Sequence, residues 1–147
     1  LVYPQDKEAF HWQEIVVITC PEIKNLKTNA FYTLKGKKVN STETNHNYSL
    51  TLQGFKQANL NLQQDKASAV NLSGNSINRL DAIVGWSTLS NSRLQIDKTN
   101  SIQEADLDIR NESELIIENV KIPKLKYQFS DSARVTFSGS ALGVIAQ

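Results

Sequence analysis

The sequence predicts an all-β fold, a parallel β-helix whose single-stranded coils repeat about every twenty residues behind an irregular N-terminal cap. Three observations carry this. A short text recurs at a fixed interval: Ala105, Leu107 and Ile109 alternate with Asp106 and Asp108, lead through Asn111, Glu112 and Ser113 to Leu115, Ile117 and Asn119, and return as Leu125, Tyr127, Phe129, Val135, Phe137 and Gly139. Apolar residues alternate at period two from Tyr48 onwards, the mark of strands with one buried face. The third is a column of Gly54, Gly74, Asn119 and Gly139, placed where a corner needs a positive φ, which Gly and Asn tolerate best.

A twenty-residue period belongs to solenoids. A leucine-rich repeat would need a helical return, whereas the return segments here also alternate. In a parallel β-helix, position i sits about 4.8 Å from its equivalent one coil on. One coil cannot bury its own apolar residues, but a stack can. The inward columns then read Leu50/Val70/Leu94/Leu115/Val135 and Leu52/Leu72/Ile96/Ile117/Phe137. An antiparallel sandwich or meander is the alternative arrangement.

The 147 residues form a single domain, with 1–47 as N-terminal cap and irregular strands and 48–147 as regular coils. Phe10 and Trp12 flank a candidate strand in the cap, and Trp12 is expected to help cover the open end of the solenoid. Ile15 to Thr19 is expected as a short strand ended by Cys20-Pro21. Phe31, Tyr32 and Leu34 suggest a strand running into Gly36, and 35–47 reads as an exposed loop or hairpin tip. Leu60 and Leu62 belong to the strand between the first two coil equivalents. The displacement from Val70 to Leu94 is four residues too long, which places an insertion near Asp81 to Asn91, around Gly85, Trp86 and Ser90-Asn91-Ser92. At the far end, Leu142, Val144 and Ile145 form either a final strand or a sticky terminus that dimerises.

The chemistry is sparse. Sixteen basic and fifteen acidic residues, interspersed, leave a net charge of +1 and no basic stripe for nucleic acid or membrane. No run of 18 apolar residues spans a membrane. Cys20 is the only cysteine, so neither a disulfide nor a Cys-based zinc cluster can form; it reads as a buried free thiol. His11 and His46 lie in irregular polar regions without metal-ligand spacing. No G-x-S-x-G, G-x-G-x-x-G or P-loop text occurs. No catalytic residue, metal site or cofactor is therefore assigned. The absence of methionine, the initiator included, marks a mature or trimmed chain, which a removed export signal and an arbitrary cut of the chain explain equally well; a lipid anchor upstream of Leu1 would fit the first. Sequons occur at Asn40, Asn47, Asn71 and Asn111, and they are discounted because Asn71 and Asn111 sit in or beside strands.

Two candidate ligand-binding features remain. Asp106 and Asp108, with Glu104 in line, project from one strand face; oxygen ligands of this kind suit calcium, but the stacked Lys126 and Gln128 favour charge compensation between coils. Trp86 lies in the insertion, where it either stacks on a sugar or anchors a partner, or else folds over a coil edge.

The stretches Val70-Asn71-Leu72-Ser73-Gly74 and Val135-Thr136-Phe137-Ser138-Gly139, within residues 48–145, resemble the auto-transporter adhesin head family (the GIN domain) of bacterial envelope proteins, common in the Bacteroidetes. The resemblance implies a right-handed β-helix, an exported or lipid-anchored protein of the periplasm or outer-membrane surface, and no catalytic residues to transfer. The expectation is thus a non-enzymatic adhesin or envelope-binding module for a glycan or protein ligand. Two alternatives stay open: a polysaccharide lyase-like enzyme using Asp106, Asp108 and a basic residue, and a structural β-helix that polymerises end to end, or forms homo-oligomers, through its coil edges.

Overall fold

A computed structural model describes residues 17–29, 31–40 and 49–144. The first strand is β1 (Asn25–Asn29), followed by an antiparallel hairpin of β2 (Phe31–Leu34) and β3 (Lys37–Asn40). Nine further strands follow: β4 (Ser49–Gln53), β5 (Lys56–Asp65), β6 (Ala69–Ser73), β7 (Ser76–Val84), β8 (Arg93–Ile96), β9 (Ser101–Ile109), β10 (Glu114–Glu118), β11 (Lys124–Phe129) and β12 (Arg134–Ser138). From β4 onwards the chain alternates between two parallel sheets, one ordered β4-β6-β8-β10-β12 and the other β1-β5-β7-β9-β11. This is a β-solenoid of about four coils.

The register is the one that the repeat predicts. Leu50 pairs with Val70, Val70 with Leu94, Leu94 with Leu115, and Leu115 with Val135. Burial follows position in the stack. Val70, Leu94 and Leu115 are 0% exposed, whereas Leu50 in the first rung is 37% exposed, because only a coil on each side shuts out water. The corner column also holds: Gly54, Gly74, Asn119 and Gly139 have φ of 77°, 63°, 51° and 57°.

The long strands contain a bend. In β7 the inward residues are Ile77, then Leu80, Ala82 and Val84, so Asn78 and Arg79 face away from the core in succession. The same three-residue step separates Ile102 from Ala105 in β9. The ladder skips one position there: Ile77 pairs with Ile102 and Arg79 with Glu104, with no pair between them. Each coil therefore turns within its long strand as well as at its ends.

Polar residues enter the interior mostly as ladders; Gln64, 0% exposed and in register with Val84, departs from this, its Nε2 donating to the Arg93 carbonyl at 3.1 Å. Asn75 and Asn100 occupy equivalent corners. Asn75 Nδ2 donates to the Leu52 carbonyl at 2.9 Å and to Asn100 Oδ1 at 3.0 Å, while the Asn75 amide N–H also donates to Asn100 Oδ1 at 3.1 Å. Asn100 Nδ2 in turn reaches the Leu72 carbonyl at 2.7 Å, and the Phe55 N–H donates to Asn75 Oδ1 at 3.0 Å. At the opposite corner the buried hydroxyls of Ser68 and Ser92 lie 3.4 Å apart, and the Ser92 N–H donates to Ser113 Oγ at 3.1 Å. A buried amide left unpaired costs about 1–3 kcal/mol, and for Asn75, Asn100 and Ser92 a neighbouring coil supplies the partner.

The N-terminal segment differs from expectation. Residues 17–20 are irregular, and Val17 and Ile18 are exposed, because the edge that β5 offers is taken by β1. A β-branched run without a ladder to join is not a strand. Cys20 is half-buried, not buried. β2 runs into the Lys35-Gly36 turn as predicted, but Lys37–Asn40 is a strand of the same hairpin, not loop. Phe10, His11, Trp12 and His46 lie outside the described residues. At the other end, Gly139–Val144 forms a 3₁₀ segment in place of a final strand. After Gly139 turns the chain, this segment packs against β10 and β12 and buries Ala141 in the core. Ile145 lies outside the described residues.

Position in the stack makes a prediction. Leu94→Ala, in the middle of its column, should lower stability by about 2–5 kcal/mol. Leu50→Ala, in the same column at the uncovered end, should cost roughly 1 kcal/mol or less. Urea denaturation of both variants checks this, and equal losses would contradict the stacked core.

Candidate functional site

Two surface features hold the sequence-predicted residues. The first is the outer face of the long-strand sheet. Register places Asn61, Asp81, Asp106 and Lys126 in one row and Gln63, Ile83, Asp108 and Gln128 in the next. A shallow trough of about 430 Å³ lies along this face, with Asn25, Lys27, Asp81, Ile83, Asp106 and Asp108 on its lining. Asp106 and Asp108 are thus brought together as the alternation predicts.

Three carboxylates of this face, Asp81, Glu104 and Asp108, are held in ion pairs with arginines. Arg79 Nε and Nη2 donate to Asp81 at 2.9 and 2.8 Å, and its Nη1 crosses to Glu104 of the next coil. The hydrogen bond and charge of Asp81, with help from Glu104 and Asp106, raise the Arg79 pKa above its ordinary value. Arg110 Nε donates to Asp108 Oδ2 at 2.8 Å, its Nη2 binds the same oxygen, and this pairing likewise raises the Arg110 pKa. Compensation therefore runs through two arginines that the sequence reading did not single out, while Lys126, in register with Asp106, forms no ion pair among the described residues. Spacing offers the signal in hindsight: Arg79 and Arg110 each stand two residues from an aspartate on the same strand face. Among the described residues no group of three His, Cys, Asp or Glu side chains is placed to hold a metal ion.

The second feature is the insertion, residues 85–92, where the chain leaves the end of β7. Four extra residues cannot enter a filled interior, so they are extruded as a knuckle. Trp86 is 55% exposed at its base and Leu89 is 90% exposed. Leu89 has a φ of 61°, a left-handed conformation that a bulky L-residue adopts at a cost of roughly 1 kcal/mol. Trp86 is not on the trough's lining, so the structure does not unite it with Asp106 and Asp108.

The knuckle is fixed from both neighbouring coils. On one side, Asp65 Oδ1 accepts from the Ser87 N–H at 3.1 Å and the Ser87 hydroxyl at 2.9 Å. On the other, Asn111 Nδ2 donates to the carbonyls of Gly85 at 2.6 Å and Ser87 at 2.9 Å. The Lys66 carbonyl accepts from the hydroxyls of Ser90 and Ser92. Gly85 admits no side chain: its φ is 80°, and a Cβ would lie 2.0 Å from Ser113 Oγ and 2.6 Å from the Arg110 carbonyl. Burial pushes the Asp65 carboxyl up, but the bonds from Ser87 and neighbouring groups outweigh it and hold the pKa below the usual carboxylate value.

The fold and this surface define a parallel β-solenoid with a charge-compensated flat face and a braced apolar knuckle. Compared with known proteins, the chain matches no family model, no curated protein and no solved structure.

Because the Asp65 pKa is depressed in the folded state, its contribution is present above the unfolded value of about 4 and is lost as pH falls through the folded one. Trp86 fluorescence in a Trp12→Phe background should therefore report loosening of the knuckle only below about pH 4. Asp65→Ala should show the loosened signal at neutral pH, and an unchanged spectrum would contradict the latch.

Proposed function

We propose that the chain is a non-enzymatic binding module, an adhesin-type solenoid of the bacterial cell envelope, that engages its ligand through Trp86 and Leu89. The observation that carries this reading is the knuckle. Two large apolar side chains face solvent on a loop held by a carboxylate from one coil and an amide from the next. Exposed Trp is the residue most often found at the energetic centre of protein interfaces, and a fixed loop loses little entropy on binding.

A strained, exposed Leu89 supports the same reading. Strain that stabilises nothing internally is understood where it presents a side chain outwards. The chemistry beside the knuckle favours a protein over a glycan as the ligand. Asp65 and Asn111, the side chains that would otherwise meet sugar hydroxyls, are engaged in bracing the loop. What the knuckle offers is apolar contact, suited to a hydrophobic pocket on a surface protein. The arginine-compensated carboxylates of the flat face keep the solenoid soluble and contribute to the rim.

Whole-cell binding and glycan arrays with the purified protein test the proposal. Cell binding should be sensitive to protease treatment of the target cells and should fall at least tenfold on Trp86→Ala. Leu89→Gly should raise stability by roughly 1 kcal/mol, as the strain is relieved, while weakening binding. Binding that survives both substitutions, or no binding to any cell surface, would overturn it.

A further inference from the structure

The 3₁₀ segment Gly139–Val144 packs against β10 and β12 and buries Ala141 beside the short-strand sheet. In the long-strand sheet, β11 is the terminal strand among the described residues, and its outer edge carries backbone N–H and C=O groups with no described strand beyond. Its inward side chains continue the core columns: Leu125 pairs with Ala105, Tyr127 with Leu107 and Phe129 with Ile109. Ala105, Leu107 and Ile109 are 0% exposed, whereas Tyr127 is 48% exposed. The Tyr127 and Phe129 rings stack at 4.8 Å along the open edge. Its outward side chains are Lys124, Lys126 and Gln128, and the two lysines form no ion pair among the described residues.

We infer that the free edge of β11 is a docking site for an extended partner strand that alternates apolar and acidic residues. The neighbour that β11 already has shows the pattern it accepts. β9 lies beside it in parallel, placing Glu104 next to Lys124, Asp106 next to Lys126, and Ala105, Leu107 and Ile109 next to the three inward residues. A parallel ladder repeats by translation, so a strand on the far edge meets the same two lysines and the same apolar row one strand spacing away. Opposite charges directly across a sheet stabilise the pair, and like charges destabilise it. Addition of a strand to an exposed edge is an established mode of peptide recognition, with main-chain bonds giving affinity and alternate side chains giving selectivity.

The same charges argue against a second copy as the occupant. Two β11 edges brought together place lysines beside lysines. The opposite end of the long-strand sheet offers Asn25, Lys27 and Asn29 as its outward residues, and no carboxylate. Exposed lysines on an edge strand are a common guard against self-pairing. Here they leave an acidic strand as the one charge class that fits.

The test uses two synthetic peptides and the full chain. One carries the chain's own β9 sequence, Ser101 to Ile109; the other replaces its three acidic residues with lysine. Fluorescence anisotropy should show binding of the acidic peptide, weakening several-fold as salt is raised, and little binding of the basic one. Lys124→Glu with Lys126→Glu, both at exposed positions, should weaken the acidic peptide roughly tenfold and reverse the preference towards the basic one. Absence of binding by the acidic peptide, equal binding of both peptides, or a preference that the double substitution leaves unchanged would overturn the assignment. So would sedimentation showing that the chain self-associates through this edge. Because the edge lies on the last coil and the knuckle at residues 85–92, Trp86→Ala should leave peptide binding unaltered.

Discussion

Translation by one coil is the constraint on which the rest depends. Once Val70 sits between Leu50 and Leu94, each inward position is fixed by the positions above and below it, and most residues there meet a side chain of their own kind. Leucine, isoleucine and valine satisfy this by contact. Asparagine and serine satisfy it by hydrogen bonds that run along the stack, as Asn75 and Asn100 show, each capturing a carbonyl of the preceding coil. The interior is therefore selective for self-complementary columns, and hydrophobicity is one of two ways to be self-complementary.

Irregularity is pushed outwards by the same rule. Two places in the stack carry extra residues, the 85–92 knuckle and the Asp97–Asn100 corner, and neither disturbs the ladders on either side. At the corner, the Asp97 carboxylate accepts from the Thr99 N–H at 2.8 Å and from the Asn100 amide at 3.1 Å, closing a turn of its own. At the knuckle, Gly85 brings the departing chain into a space already filled by Ser113 and the Arg110 carbonyl, and only a residue without Cβ passes. Bracing from adjacent coils then converts an insertion into a fixed projection. A solenoid can display a loop in this way without loosening its core, since the loop's anchors are polar groups that already face outwards.

Much of this was written in the spacing. The inward columns, the Gly/Asn corner, the place of the insertion and the shared face of Asp106 and Asp108 all follow from intervals between residues, because translation maps sequence distance directly onto contact. Features that depend on a single event were not legible. Asn75 and Asn100 look like turn residues, and nothing local distinguishes an amide that caps the solvent side of a turn from one that points inwards. Arg79 and Arg110 answer the acidic face through side-chain reach, which spacing hints at but does not decide. Leu89 in a left-handed conformation contradicts its own propensity. Val17 to Thr19, the described part of the expected strand, shows the converse: strand propensity is present, but the edge of β5 is occupied by β1. Pattern reads what repeats, and tertiary competition settles what does not.

Translation has no natural end, and the chain treats its two kinds of strand differently where the stack stops. A column that is dry in the middle becomes wet at the last rung, as the contrast between Leu107 and Tyr127 shows. The side chain that best tolerates this is one with an apolar body and a polar tip, and Tyr127 is that residue. Beside the short-strand sheet the chain folds back and buries Ala141. On the long-strand sheet no described residue covers the edge; Lys126 stands in the row where β7 and β9 carry Asp81 and Asp106, and Lys124 in the row of Arg79 and Glu104. Lysine at an edge repels its own kind and tolerates an acidic neighbour, so one pair of charges both discourages uncontrolled growth of the stack and leaves open a single chemistry of addition. Protection of an edge and selectivity for a partner are, on this surface, one electrostatic property.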